Sequence, residues 1–327
     1  MMRSMRRLWI WLTILLATVL LVLVLNWQGI LPFWSTGLPL VPGQARQINL
    51  PIALPKVNPD RLLADLKALE FNRYQEDDRQ QARNYIVQAL EAAGWTPQQQ
   101  SFSGGVNLYA ERTGTDPSLK PVLLGAHYDT VESSLGVDDN ATGVATVLEA
   151  ARLLGSQATP RTLQLIWFDL EEEGLLGSKA FVESLPPNSL EGAIVLDMVG
   201  YACETPGCQT YPSISLIRPP TDRGNFLAVI GDQGHADLLT GFLSQADLPQ
   251  MLALSIPTLG GLAPDLVRSD HAPFWKKGIG AVLVTDTANF RNPHYHQPSD
   301  TLETIDPDFF TGSAQLVINA VARLLQS

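Results

Sequence analysis

Glu171, Glu172 and Glu173 stand in a row shortly after residues 162–168, a run apolar enough to be a buried strand. Three like charges at the end of such a strand repel one another unless water or a cation takes up their charge. A solvated turn is the plain reading of an acidic triplet, so what else arrives nearby decides the matter. His127 and Asp129 follow the apolar run 121–126, and Asp138 and Asp139 sit in GVDDNATG. Asp197 ends AIVLD, and NPHYHQPSD carries His294, His296 and Asp300. One acid or imidazole at a strand end is ordinary capping; a succession of them is hard to assign to chance. Carboxylates and imidazoles with no cysteine among them suit a divalent ion such as zinc. The number of donors suggests two ions bridged by one aspartate, as in binuclear phosphatases and aminopeptidases. The charge of the ions would make so many acids tolerable together. In HYD, Asp129 is placed to hold the second ring nitrogen of His127.

These side chains need a scaffold that brings several strand ends to one edge. Asn58-Pro59-Asp60 reads as a helix N-cap with proline at the first helical position, opening a helix to about Leu69. A second helix over 78–93 stops at Gly94, and strand-like stretches follow at 98–102 and 107–112. Strands at 121–126, 162–168, 192–198 and 281–286 then alternate with helices at 141–154, 179–185, 235–246 and 307–325. Short apolar strands alternating with helices predict an α/β fold: a largely parallel sheet with helices on both faces. Ligands of such sheets bind outside the carboxyl ends of the strands, where the candidate residues fall.

The chain has 327 residues, 45% hydrophobic and 17% charged, which fits a folded domain and excludes a disordered chain. Its net charge is −11, and no Lys/Arg-rich run lies beyond the N-terminus, so a nucleic-acid partner is not expected. Residues 8–25 carry no charge and follow Arg3, Arg6 and Arg7, with Trp9, Trp11, Trp27 and Trp34 near the ends. At about 1.5 Å per residue such a helix crosses most of a bilayer core. A retained transmembrane anchor (residues 1–27) is expected, its N-terminus cytoplasmic and the remainder exported. A cleaved signal peptide is the competing reading; the long apolar run and the absence of an A-x-A-like site argue against it. A Pro/Gly-containing linker at 28–56 leads to the main domain at 57–327. Cys203 and Cys208 are the only cysteines, and in an exported domain they are expected to form a disulfide.

GAHYDT, GVDDNATG, EEEGLLGS, LDMVG, SDHAPF and YHQPSDT, in this order, resemble the successive motifs of the M28 family of zinc aminopeptidases. The resemblance covers roughly residue 108 to the C-terminus. It implies a phosphorylase/hydrolase-like fold, with a mixed, mostly parallel sheet sandwiched between helices. It also implies two zinc ions, with His127 and Asp197 serving separate ions, Asp139 bridging, and Glu172 and His296 completing the ligand set. Glu171 would be the general base, and Tyr295 matches a tyrosine that stabilises the tetrahedral intermediate in some relatives. Counting back from Gly174 makes Glu171 and Glu172 the functional pair and Glu173 the variable position. Asp129, Asp270 and Asp300 would stand behind the ligands, with His271 beside them; His294 reads as loop structure and His235 as a helix start. Residues 203–261, where family members carry variable loops, would shape the substrate pocket. The expectation is an exported, membrane-anchored zinc peptidase that removes N-terminal residues from peptides. Its rivals are a glutaminyl cyclase with one zinc, a carboxypeptidase of the same superfamily, and a metal-free binding domain.

Overall fold

A computed structural model describes residues 54–212, 221–242, 245, 247–256 and 264–327. The expected membrane segment and the linker up to residue 53 lie outside the described residues. Among the described residues no helix is long and apolar enough to cross a membrane.

The first helix starts as its sequence requires. The Asn58 side chain accepts a hydrogen bond from the Arg61 N–H, and Pro59 occupies the first turn, where an N–H has no helical partner. This helix, α1 (Pro59–Leu69), buries Leu62, Leu66 and Leu69. Helix α2 (Glu76–Ala92) buries Ala82, Ile86 and Leu90 and turns Arg79 and Arg83 inward. Both guanidinium groups face the buried Asp169 carboxylate, at 2.9 and 3.4 Å. That contact fixes the chain immediately before the acidic triplet.

Among the described residues eight strands form one sheet: β1 (Gln98–Phe102), β2 (Gly105–Arg112), β3 (Val122–His127), β4 (Leu163–Phe168), β5 (Gly192–Leu196), β6 (Phe226–Asp232), β7 (Gln250–Ile256) and β8 (Ala281–Thr285). Their spatial order is β1-β2-β4-β3-β5-β8-β6-β7. The block β4-β3-β5-β8 is parallel, and β6 pairs antiparallel to β8 and parallel to β7. Helices α3 (Thr142–Leu154), α4 (Leu176–Ser184), α5 (Ala272–Lys276) and α6 (Pro307–Leu324) complete the domain. The two-residue strand period sends neighbours to opposite cores. Leu124 and Ala126 of β3, Leu165 and Trp167 of β4, and Ile194 and Leu196 of β5 join α1, α2, α3 and α6 in the larger core. Leu123, Ile166, Phe168, Ala193 and Val195 face Phe181 of α4 and Phe274 and Trp275 of α5. Burial on both faces explains why these strands read as continuous apolar runs.

The structure departs from the sequence reading between β5 and β8. The helix expected over 235–246 is instead a 3-10 run, Gln233–Gly241, broken at His235, whose Nδ1 lies 2.8 Å from Asp232 Oδ2. Only Leu238, Leu239 and Gly241 of this run are buried, too few for the apolar stripe of an amphipathic helix. Strands β6 and β7 were not expected. A short apolar run such as FLAVIGD is not distinguished from a buried helix by periodicity, and β6 interrupts the parallel alternation by running against β8.

Candidate metal centre

Strand register sets the site. Ala126 of β3 pairs with Trp167 of β4 and Leu196 of β5, so the three carboxyl ends lie level. After β3 the chain goes to one side of it for β4 and then to the other for β5. Such a reversal opens the crevice where ligands of parallel sheets bind. His127 ends β3, the acidic turn follows β4 after Asp169 and Leu170, and Asp197 follows β5. Asp139 comes from the wide turn Val137–Ala141 ahead of α3, and His296 from the loop after β8.

Two clusters of donor atoms form there: His127, Glu171 and Asp197, and Asp139, Glu172 and His296, the atoms of each within 4.8 Å of one another. The Asp139 carboxylate joins them. Its Oδ1 lies 3.3 Å from His127 Nε2, and its Oδ2 lies 3.2 Å from His296 Nε2. Glu172 Oε2 is 3.1 Å from the same His296 nitrogen, and Asp197 Oδ1 is 3.8 Å from His127 Nε2. Glu171 is buried, Glu172 is partly buried and Glu173 is exposed, which is the register counted from Gly174. His127 and Asp197, which the resemblance puts on separate ions, fall in the same donor cluster, since β3 and β5 are adjacent strands.

The supports are as specific as the donors. The Asp129 carboxylate accepts the backbone N–H groups of Glu171 (3.0 Å) and Glu172 (3.1 Å), and lies 3.4 Å from His127 Nδ1. Asp300 accepts the N–H groups of Asp138 (2.8 Å) and Asp139 (3.1 Å), fixing the bridging residue from the far end of the chain. Two supports, Asn140 and Asn292, escaped the sequence reading, as did the bracing role of Asp138. Asn140 donates to Leu196 O and accepts from Met198 N, tying the turn before α3 to the end of β5. Asp138 accepts from Gly200 N and from the Asn292 side chain, so it braces loops while its neighbour faces the site. The only signal for them was their place in GVDDNATG and RNPHYH.

Backbone conformations around the site are costly ones. Leu170 (φ 55°), Met198 (φ 57°) and His296 (φ 59°) all lie in the left-handed region although none is glycine. Each such residue costs of order 1–3 kcal/mol and persists where its surroundings over-determine it, typically at functional sites. Gly136 (φ +63°) needs its missing side chain: a Cβ would come within 2.5 Å of Asp139 O.

Electrostatically the centre holds more acid than the protein alone neutralises. Burial pushes Glu171 well above the usual carboxylate range; the His127 charge opposes this, while Asp270, Asp197 and Glu172 add to it. Burial and then the Asp139 charge raise Glu172 to about 8. Burial lowers His296, but its close contacts with the Asp139 and Glu172 carboxylates outweigh it and raise the ring to about 10. Both ring nitrogens of His127, the Nε2 of His296 and Glu172 Oε1 are buried without a well-formed hydrogen bond. Orphaned buried donors and acceptors are rare and want an explanation. Divalent cations in the two clusters would supply it, and the all-nitrogen-and-oxygen donor set fits zinc.

Residues 107–321 match the model of peptidase family M28. The chain belongs to this family. The uncharacterized protein YfbL of Escherichia coli (strain K12) is 32% identical over 77% of this chain and 81% of its own length. Leucine aminopeptidase 1 of Trichophyton rubrum is 27% identical over 86% of this chain and 77% of its own length. Among solved structures, BSAP, a zinc aminopeptidase from Bacillus subtilis, aligns with TM-score 0.53 at 25% identity, covering 68% of this chain and 51% of that one. A glutaminyl cyclase of Bacteroides thetaiotaomicron aligns with TM-score 0.59 at 17% identity, over 83% of this chain and 99% of that one. The fold is therefore common to peptidases and cyclases, and the reaction has to be argued from the site.

Beside its two clusters this M28 peptidase has a cavity of about 310 Å³. Phe226, Ala228 and Ile230 of β6 and Leu252 and Leu254 of β7 line it, so residues 203–261 do shape the pocket, through strands as well as loops. Asp139, Glu171, Glu172, Asp197 and Tyr295 lie on its wall. The Tyr295 ring stacks on the His296 imidazole at 3.7 Å. Asp270 is fully buried behind the site with neither carboxylate oxygen hydrogen-bonded, and burial raises it to about 7. His271 is buried too; its Nε2 lies 2.9 Å from Leu266 O, and its ring meets Trp275 edge-on at 4.4 Å. His294 serves its loop, with Nδ1 2.8 Å from Ser299 Oγ. Cys203 and Cys208 form the expected disulfide.

Proposed function

We propose that this M28 peptidase is a binuclear zinc aminopeptidase, exported and held at the membrane by its N-terminal segment. The observation that carries the reading is the Asp139 carboxylate, which directs one oxygen to each of two imidazoles in two otherwise separate donor clusters. His127 and Asp197 would hold one ion, Glu172 and His296 the other, with Asp139 shared. When bound, the ions act as Lewis acids that polarise the scissile carbonyl and acidify a water.

The chain's own residues do the rest. Glu171 lies beside both the ligands and the cavity, and its carboxylate takes the proton of the attacking water and returns it to the leaving amine. Glu171 and Glu172 cannot drift, because Asp129 holds the backbone of both. Tyr295 lies on the cavity wall, and its hydroxyl donates to the oxygen that gains charge in the transition state. The apolar floor from β6 and β7 accommodates a bulky apolar side chain of the N-terminal residue, with the acidic wall favouring a free ammonium group beside it.

The test is a panel of aminoacyl-nitroanilides and their N-acylated counterparts, assayed after zinc loading. Free-amine substrates with leucine or phenylalanine should turn over fastest and blocked ones not at all. Elemental analysis should return two zinc ions per chain. One ion, full activity and a harmless His127→Ala change would instead favour a cyclase-like enzyme.

A further inference from the structure

Arg268 reaches the cavity from the segment between β7 and α5 and is engaged at both ends of its guanidinium group. Nη1 donates to Asn289 Oδ1 at 2.9 Å and Nη2 donates to the Tyr295 hydroxyl at 2.9 Å. Asp265 Oδ1 lies 3.7 Å away, and the guanidinium carbon is 5.8 Å from the centre of the Tyr295 ring. Arg268, Asp265, Asn289 and Tyr295 all line the cavity. With Nη1 committed to Asn289, the planar group fixes where Nη2 points.

Hydrogen-bond direction gives this contact its consequence. A guanidinium group only donates, so the Tyr295 oxygen must accept, and the phenol's own hydrogen has to point elsewhere. Among the described residues that O–H meets no acceptor. The ring cannot swing far to find one, because its other face is stacked on His296, whose Nε2 faces Asp139 and Glu172. Tyr295 lines the cavity beside the two donor clusters, so the donor left over is free for a substrate oxygen there.

We propose that Arg268 is a positioning residue for the reaction: by donating to the Tyr295 oxygen, it holds the Tyr295 O–H as a donor to the substrate oxygen that becomes charged. The role is to orient rather than to bind substrate, and it rests on the aminopeptidase reading above. Arg268 is 43% exposed, so its replacement leaves the core intact. Without it the hydroxyl rotates freely and its donation is no longer preorganised.

The experiment is a double-mutant cycle on the zinc-loaded, full-length chain with leucyl-nitroanilide: Arg268→Ala, Tyr295→Phe, both together, and Arg268→Lys. Zinc content and thermal unfolding are checked for each. Arg268→Ala should lower kcat on the order of 10- to 100-fold with KM nearly unchanged. Tyr295→Phe should lower kcat at least as much, and the double variant should match Tyr295→Phe alone, since both remove one function. Arg268→Lys should recover part of the loss, as a lysine can still donate to the phenol but not span to Asn289. Losses that multiply in the double variant, or a raised KM with kcat intact, would overturn the inference and make Arg268 a substrate contact. A wild-type chain inert on every free-amine substrate would overturn the aminopeptidase reading and this inference with it.

Discussion

Changing Glu171, Glu172 and Glu173 to glutamine one at a time separates three environments that the sequence presents as identical. Glutamine keeps the size of the side chain and removes its charge and basicity. Glu173 is exposed and donates nothing to either cluster, so its variant should lie within about 0.5 kcal/mol of wild type in stability and retain activity. Glu172 faces His296 Nε2 at 3.1 Å within the second cluster, so its variant should lose zinc affinity, since an amide oxygen is a weak substitute for a carboxylate ligand. Glu171 is the informative case. Removing a general base costs about 10²–10⁴ in rate, or about 3–5 kcal/mol in the barrier. The loss should fall on kcat with KM little changed. The electrostatics add a second readout. Burial and the charges of Asp270, Asp197 and Glu172 oppose ionisation of Glu171, against only the His127 attraction, so the zinc-free Glu171→Gln protein should unfold no more easily than wild type and at high pH less easily. The assays are steady-state kinetics, zinc content by elemental analysis, and urea unfolding of the metal-free proteins. A Glu171→Gln enzyme that turns over normally would refute the assignment of the base. One that has lost its zinc would move Glu171 into the ligand set.

Three further outcomes can be measured, two resting on the structure and one on the N-terminal sequence. Asp300→Ala leaves two buried N–H groups of Asp138 and Asp139 without acceptors, a loss of about 2–6 kcal/mol at the usual cost of about 1–3 each, read by denaturant unfolding; an unchanged midpoint would refute its anchoring role. Burial holds His271 down at about 4, opposed only in part by the Leu266 carbonyl and the Asp197 charge. Because the folded value lies below the ordinary one of about 6.5, the unfolded chain binds the extra proton, and stability is full above that value and lost as pH falls towards 4. The loss should be on the order of 2 kcal/mol between about pH 7 and pH 5, and a His271→Gln variant showing the same slope would refute the attribution. For the N-terminus, the full-length protein should stay in the membrane fraction after carbonate washing; release of a soluble form lacking about the first thirty residues would establish cleavage instead.

Composition and periodicity were enough for the α/β class, for helices α1 and α6 with their proline-marked starts, and for the four strands of the parallel block. Those strands are buried on both faces, so their apolar runs are continuous and bounded by polar loops. The donor residues were legible for the same reason: strand ends are short, and chemistry placed there stands out against the apolar background. The β6–β7 pair was not legible, because a seven-residue apolar run says nothing about whether it lies parallel or antiparallel to a strand fifty residues away. Residue chemistry alone did not distinguish Asp138 from Asp139; only the resemblance singled out Asp139. They are adjacent and chemically identical, yet one accepts from Gly200 N and Asn292 while the other spans two imidazoles. The grouping of His127 with Asp197, and the contact of Arg268 with Tyr295, likewise depend on which strands and loops become neighbours. Residue type and local order determined which groups carry chemistry in this protein. Only the tertiary structure decided which face one another, because a hydrogen bond or a shared ligand acts over about 3 Å while the groups that make it lie tens to hundreds of residues apart in the chain.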